Sequence, residues 1–463
     1  MTNLIRNELY KVFHKKSIII FGTIILCMSI LNSWIYKTNY DDDGLYKQNY
    51  SSTYFNDYLK ELNNLDPNNI NEVQSYVDIK TSYDLEKLID DNNFDEKSWQ
   101  REYLYEGNTY NILYNINRYT YIEKDETEKN YYVEKLNNII EKLKKDDWKY
   151  FINEQLSNLD ENSKLKKELL EYRLKNNVPY SQGFLNSAII DYENITEELN
   201  TFKDFNKLNY EEKVRYQTLL KVQAINKYIM DTKQNVSKQN NVRNGVANVV
   251  NDYEIFIIIF VVLVSSSIVS SEFKDGTIKL LLIKPYKRTT ILLSKYITCL
   301  IFLCIVVLYT ASVEFIVRGI FFGFKELDIP LLIYNYKTNE LKEFNFITYM
   351  LIMFVHRLPE FILLLTLSFS LSTLFTSTSL ANTLTILGYI GKDILNSLSR
   401  GFNLKFMNYF VTLNWDLREY LYGRLPTSEG LTINHSITIC LIYLIIMLAV
   451  TFVVFKKKNI KNI

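Results

Sequence analysis

The sequence predicts an all-α membrane protein, with six transmembrane helices and a large, mainly helical extracellular domain inserted between the first and second. Three observations predict it. Several apolar runs reach the roughly 20 residues that a helix needs to cross a bilayer. The stretch 37–252 is polar and contains no such run. Basic residues are concentrated in the loops on one side of the runs. The mean hydropathy of −0.09 averages two populations. Residues 37–252 hold 29 Lys and Arg against 38 Asp and Glu, a net of −9, and the remainder holds 24 against 14, a net of +10. A split of this size suggests two compartments.

The organisation that follows is a short N-terminal segment and first span over 1–36, the outer domain over 37–252, and the remaining spans over 253–463. The runs are Ser17–Tyr36, Tyr253–Ser271, Ile291–Phe322, Ile347–Phe375, Ala381–Leu398 and Ile433–Phe455. Ala381–Leu398 is the weakest, because it carries Lys392 and Asp393. Lys15 and Lys16 precede the first run as in a signal peptide. The run is long for that role, and it leads into Trp34 and Tyr36, which suit an interfacial belt, without an Ala-x-Ala-like site. It reads as a retained anchor.

Residues 1–16, 272–295 and the tail hold 14 Lys and Arg, whereas the short loops 323–346 and 399–432 hold seven. Both termini are therefore expected in the cytoplasm of a multi-pass protein, with 37–252 outside. The Asn, Lys, Ile and Tyr bias fits an AT-rich bacterial genome, and hence a bacterial plasma membrane. Cys27, Cys299, Cys304 and Cys440 all fall within apolar runs, so no disulfide is expected in the outer domain.

That domain reads as helical. Val133, Leu136, Ile139, Ile140, Leu143 and Trp148 recur at helical spacing over Tyr131–Phe151, and Leu165–Leu174 and Thr196–Ile229 look similar. Prolines and glycines are scarce. Asn186–Asn194 is the best candidate for a strand or irregular piece. The domain is either a solvated spacer or a surface that meets an extracellular ligand.

Between the second and third runs lies Ser271-Glu272-Phe273-Lys274-Asp275-Gly276-Thr277-Ile278-Lys279-Leu280-Leu281-Leu282-Ile283-Lys284-Pro285. Asp275-Gly276-Thr277 can end one helix and cap another, and Pro285 would stop it. Thr289 or Thr290 can cap the next span. A charged segment wedged between spans suits a soluble partner that pushes on it. The plainer alternative is an amphipathic loop lying on headgroups.

Glu272, Lys274, Gly276, Thr277 and Ile278, followed by Leu282, Pro285, Arg288 and Ser294-Lys295-Tyr296, resemble the first intracellular loop of permease subunits of the type-2 ATP-binding-cassette exporter family. Leu4–Lys11 resembles that family's N-terminal amphipathic helix. The resemblance implies that loop 272–290 docks on a separate ATPase through Glu272, Phe273, Lys274, Asp275, Gly276, Thr277, Lys279, Leu282, Pro285 and Arg288. It covers the spans and inner loops, and is similar to bacitracin- and lantibiotic-resistance permeases and to a sodium exporter. It also implies a second permease copy, identical or not, and a re-entrant or interfacial segment over 399–432.

This chain has no Gly-x-x-x-x-Gly-Lys-Ser/Thr sequence, and Gly388-Tyr389-Ile390-Gly391-Lys392-Asp393 has the wrong spacing. No cofactor is expected on it; ATP and Mg belong on the partner. It is expected to be a transport subunit, not an enzyme. A metalloprotease is excluded by pattern, since His14, His356 and His435 form no His-Glu-x-x-His. No basic patch fits nucleic acid; the Lys456–Lys458 run suits anionic lipid.

Glu314, Arg318, His356, Arg357 and Glu360 are ionisable residues inside apolar runs, and such residues are functional candidates. Glu314 and Arg318 can pair four apart, and His356 and Glu360 share a face next to Pro359. The simpler expectation is that both groups are wet anchors near helix ends; the functional one is a polar lining near an exit. The expected substrate is hydrophobic or amphipathic, such as an antimicrobial peptide. The alternatives are sodium export by the same architecture and a non-transporting receptor or scaffold.

Overall fold

Among the described residues, five helices are long and apolar enough to cross a membrane: Lys16–Asn39, Glu254–Lys274, Arg288–Phe322, Phe346–Phe375 and Ile433–Lys457. They belong to a computed structural model that describes residues 1–42, 44, 53–95, 98–106, 108–160, 163–181, 183–278, 286–402, 405–426 and 428–458. Each helix overlaps one expected run and extends past it at one end or both, although Glu254–Lys274 starts one residue later than its run.

Thr378–Phe402, the weak sixth run, is also a helix, but an inside-out one. Leu380, Leu384, Leu387, Ile390, Ile394 and Leu398 are exposed, while Thr385, Tyr389 and Ser399 are buried. A helix of a water-soluble protein buries its apolar stripe; this one turns it outward.

The bundle core centres on Ile25, Ile257, Val261, Phe302, Phe361 and Phe369. Phe21 and Phe260 stack with centroids 3.7 Å apart. Ser265, Ser266 and Ser270 are buried on the Glu254–Lys274 helix, and small residues of this kind let helices approach closely. The Ser368 hydroxyl donates to the Val262 carbonyl at 3.0 Å, so the approach is also hydrogen-bonded.

The chain forms two compact units, one of Met1–Tyr40, Phe202–Ala224 and Val236–Ile463, the other of Asp41–Thr201 and Ile225–Asn235. The polar stretch 37–252 is thus divided between them rather than forming a body of its own. The physical reason is that parts of it have apolar and polar partners elsewhere in the first unit. Val242, Val246 and Val249 pack with Ala311 and Met350. Leu425 N–H donates to Gln217 Oε1 at 2.8 Å.

The second unit is helical, around Leu104, Leu143, Phe151 and Ile152. The expected Tyr131–Phe151 helix is two helices, Glu126–Lys144 and Trp148–Ser157. Asp146 has φ +57° between them. Asp147 then accepts from Tyr150 N–H and starts the second helix. Asn186–Asn194 is neither strand nor irregular but lies within the Phe184–Thr201 helix, where Ala188 and Ile189 are buried. Burial of that face overrides the β-branched composition. Thr196–Ile229 is broken by a short 3-10 turn at Phe205–Lys207, which Asp204 caps.

A hairpin departs from the all-α expectation. Strands β1 (Leu331–Asn335) and β2 (Glu340–Phe344) pair antiparallel, with Leu331 opposite Phe344 and Asn335 opposite Glu340. Asn339, at φ +56°, supplies its turn. Residues 405–423 form short 3-10 turns at Lys405–Tyr409, Val411–Leu413 and Leu417–Gly423, with no continuous helix among them. Buried Asn414 explains this: its amide donates to the Asn408 and Phe410 carbonyls, both at 2.8 Å, and competes with helix bonding.

Candidate functional site

The Lys-rich end of the bundle is built on a buried charge cluster. Thr2–Phe13 is amphipathic and buries Leu4, Glu8 and Val12. Glu8 and Lys11 stand three residues apart and therefore share a face. Lys295, 1% exposed on the Arg288–Phe322 helix, donates to Glu8 Oε2 at 2.7 Å, Glu272 Oε1 at 3.3 Å and the Ile268 carbonyl at 3.0 Å. Lys11 reaches Glu272 Oε1 at 2.8 Å. Glu8, Lys11, Glu272 and Lys295 carry no net charge together. Burial would lower the Lys11 pKa, but the Glu272 and Glu8 carboxylates outweigh it and hold it above the ordinary lysine value. Lys15 donates to Ser267 Oγ at 2.8 Å; burial and neighbouring Lys295 push its pKa down.

This cluster anchors the loop picked out by sequence. Glu272 and Phe273 are buried, and Lys274, Asp275, Gly276 and Thr277 are exposed. Gly276 has φ +70° and ends the Glu254–Lys274 helix. The Thr277 hydroxyl donates to Glu272 Oε2 at 2.7 Å. The Lys458 ammonium lies 5.0 Å from the Phe273 ring centroid. Arg288 is not free for a partner at its Nη1, which donates to the Lys458 carbonyl at 2.9 Å. Lys279, Leu282 and Pro285 lie outside the described residues. The next helix begins after Lys287 with no side-chain cap, so neither Thr289 nor Thr290 takes that role.

At the other end, the expected wet anchors are buried. Glu314 and Arg318 are 0% and 2% exposed, with Arg318 Nε 2.6 Å from Glu314 Oε2. Tyr253 donates its hydroxyl to Glu314. Arg318 Nη1 donates to the carbonyls of Gln239 at 2.8 Å and Asn241 at 3.3 Å, and its Cζ lies 5.0 Å from the Tyr36 ring centroid. A Cβ at Gly245 would overlap Arg318 Cδ and Nε, so the glycine makes room for the guanidinium.

A second network joins three helices in a closed ring. Arg357 Nε donates to Glu360 Oε2 at 2.8 Å, Lys392 Nζ to Glu360 Oε1 at 2.8 Å and to Glu254 Oε1 at 2.6 Å, and Arg357 closes the ring onto Glu254. The Tyr389 hydroxyl donates to Glu254 at 2.8 Å. His356 stays out: its Nδ1 is 2.8 Å from the Ile352 carbonyl. The helix runs through Pro359.

Sequence reading brought Glu314 to Arg318, but it set His356 beside Glu360, where the structure has Arg357. It missed Glu8, Lys295 and Glu254 as site residues, and treated Lys392 as a blemish. Lys295 had a signal, a lysine flanked by Ser294 and Thr298 inside an apolar run. Lys392 is the counter-ion of Glu360, which is why a span can carry it.

An apolar cleft of about 380 Å³ opens beside the first helix, lined by Phe13, Ile18, Gly22, Phe260, Phe302 and Tyr309 among others. Among the described residues no cluster of His, Cys, Asp and Glu is placed to hold a metal.

Comparison with known proteins bears on these same helices. Residues 217–461 match the family described as "Protein of unknown function (DUF2705)". The chain belongs to the DUF2705 family. The chain is 31% identical over 206 residues to the uncharacterized protein YhcI of Bacillus subtilis, which covers 44% of this chain. That match spans 64% of YhcI, just under two thirds of its length. It is 26% identical over 201 residues to the uncharacterized membrane protein YdbK of the same organism, covering 43% of this chain and 76% of YdbK. No solved structure matches. The apolar helices and the membrane-protein relative together support a membrane location.

Proposed function

We propose that this DUF2705 protein is the membrane-spanning permease subunit of a bacterial ATP-driven exporter, coupled through loop 272–290 to a separate cytoplasmic ATPase. One observation carries the reading. The exposed turn Lys274–Thr277 continues a membrane helix whose last buried turn is fixed by the Glu8–Lys11–Glu272–Lys295 cluster. Force on the turn therefore passes into three helices, not into a slack loop. A partner drives the change only through unequal affinity for its two states.

In this reading the Lys-rich end and both termini are cytoplasmic in the plasma membrane, and the polar unit is outside. The Thr378–Phe402 helix, apolar outward except at exposed Asp393 and with Lys392 turned inward, completes six spans. A second permease copy, the same or different, faces part of that apolar surface, and lipid covers the rest. The apolar cleft supports a hydrophobic or amphipathic substrate such as an antimicrobial peptide. Sodium export is favoured less, since Glu314 and Glu360 are neutralised by bonded cations.

The test is co-purification from the native membrane. A nucleotide-hydrolysing subunit is expected with the wild-type chain and not with Gly276→Pro, which cannot adopt φ +70°. Absence of any such subunit from crosslinked wild-type membranes would refute the proposal.

A further inference from the structure

The polar unit Asp41–Thr201 with Ile225–Asn235 contains a cleft of about 290 Å³. Lys166, Leu169, Leu170 and Arg173 line it from one helix. Their spacing of i, i+3, i+4 and i+7 places them on one stripe. Ile189, Ile190 and Glu193 line it from the Phe184–Thr201 helix. Leu169, Leu170 and Ile189 are buried and make an apolar floor. The Tyr180 ring stands between two neighbours, Arg173 Cζ at 4.5 Å and the Tyr103 ring at 5.7 Å from its centroid. The Tyr180 hydroxyl donates to Gln155 Oε1 at 2.7 Å, which leaves the amide nitrogen of Gln155 unspent by that bond.

The charges set the ligand class. While buried Arg173 donates its Nη1 to the Pro179 carbonyl at 3.4 Å, the cleft offers one exposed cation, Lys166, and one carboxylate, Glu193. It does so inside a stretch, 37–252, whose net charge is −9. Burial raises the Glu193 carboxyl above its ordinary range, with Lys166 working against that, Glu197 adding to it and Arg173 opposing it. Ligand pockets run from roughly 300 Å³ upward and pair an apolar lining with a few polar groups. A cleft at that lower limit admits one or two residues of a peptide.

We infer that this cleft binds a small zwitterionic amphiphile of the size of an apolar amino acid or dipeptide. Its carboxylate meets Lys166, its ammonium meets Glu193, and its apolar side chain lies on Leu169, Leu170 and Ile189. The inference is independent of the exporter reading, because the cleft lies wholly within the polar unit.

The experiment is calorimetric titration of the full chain in lipid nanodiscs with leucyl-leucine, N-acetyl-leucyl-leucine and leucyl-leucinamide. Saturable binding of leucyl-leucine is expected, weakened ~10-fold or more by removing either terminal charge. Exposed Lys166→Glu, which threatens no core, and Glu193→Gln are each expected to weaken it by a similar factor. No saturable binding at millimolar dipeptide, or equal binding of all three peptides, overturns the inference. So does binding unchanged by both substitutions.

Discussion

Lys295 Nζ lies 2.7 Å from Glu8 Oε2, a contact that spans 287 residues of sequence and fastens the N-terminal helix to the third membrane helix. With Glu272 also at 3.3 Å, the lysine separates two carboxylates that would otherwise repel one another in a buried place. Removing one member of such a pair strands the rest.

Lys295→Met is therefore expected to destabilise the protein by about 3–5 kcal/mol, and Lys295→Met combined with Glu8→Gln by less than the sum of the two. Thermal unfolding in detergent, run as a double-mutant cycle, checks this. Additive losses would mean that the pair is not coupled.

The ring of Glu254, Arg357, Glu360 and Lys392 should behave in the same way. Lys392→Met alone leaves an excess buried carboxylate and should lower the yield of folded protein. Glu360→Gln added to it should restore part of the loss. Folded yield after membrane extraction measures both; no recovery in the double variant would argue against a direct Glu360–Lys392 bond.

Gly245→Ala places a methyl group against an arginine held at both ends, by Glu314 and by the Gln239 and Asn241 carbonyls. The guanidinium cannot simply swing away, and the expected cost is about 1–3 kcal/mol, as for overpacking. Gly388→Ala, where a Cβ meets nothing within 4 Å, is the control and should be neutral or mildly stabilising. Equal melting temperatures for the two variants would contradict the packing argument.

Glu193 gives a pH-dependent prediction. Its folded pKa is raised above the ordinary 4.5 by burial and by neighbouring Glu197, against Lys166 and Arg173. The folded state thus favours the proton, and stability falls as pH rises from 4.5 through the folded value. Glu193→Gln removes that loss: it should raise the melting temperature at neutral pH and leave it unchanged well below pH 4.5. A gain of equal size at both pH values would place its cause outside the titration.

The membrane helices were legible because length and apolarity alone specify them; Phe346–Phe375 differs by one residue from its run. Local ion pairs such as Glu314–Arg318 were legible for the same reason, since helical spacing fixes who can meet. Partners far apart in the chain, Glu8 with Lys295 or Glu254 with Lys392, follow from helix packing, which no spacing rule encodes. The hairpin at 331–344 was hidden because neither strand is long or regularly alternating. The break at Asp146 was hidden because the apolar pattern carries on across it.

The turn after Glu272 is expected to meet a nucleotide-hydrolysing subunit. The most direct measurement is photo-crosslinking from an unnatural amino acid at Asp275, which is exposed, in native membranes, with Glu419 in the 3-10 turns as the control position. The account predicts an adduct with an ATPase subunit from position 275 and none from position 419. An ATPase adduct from both positions, or from neither, would contradict it.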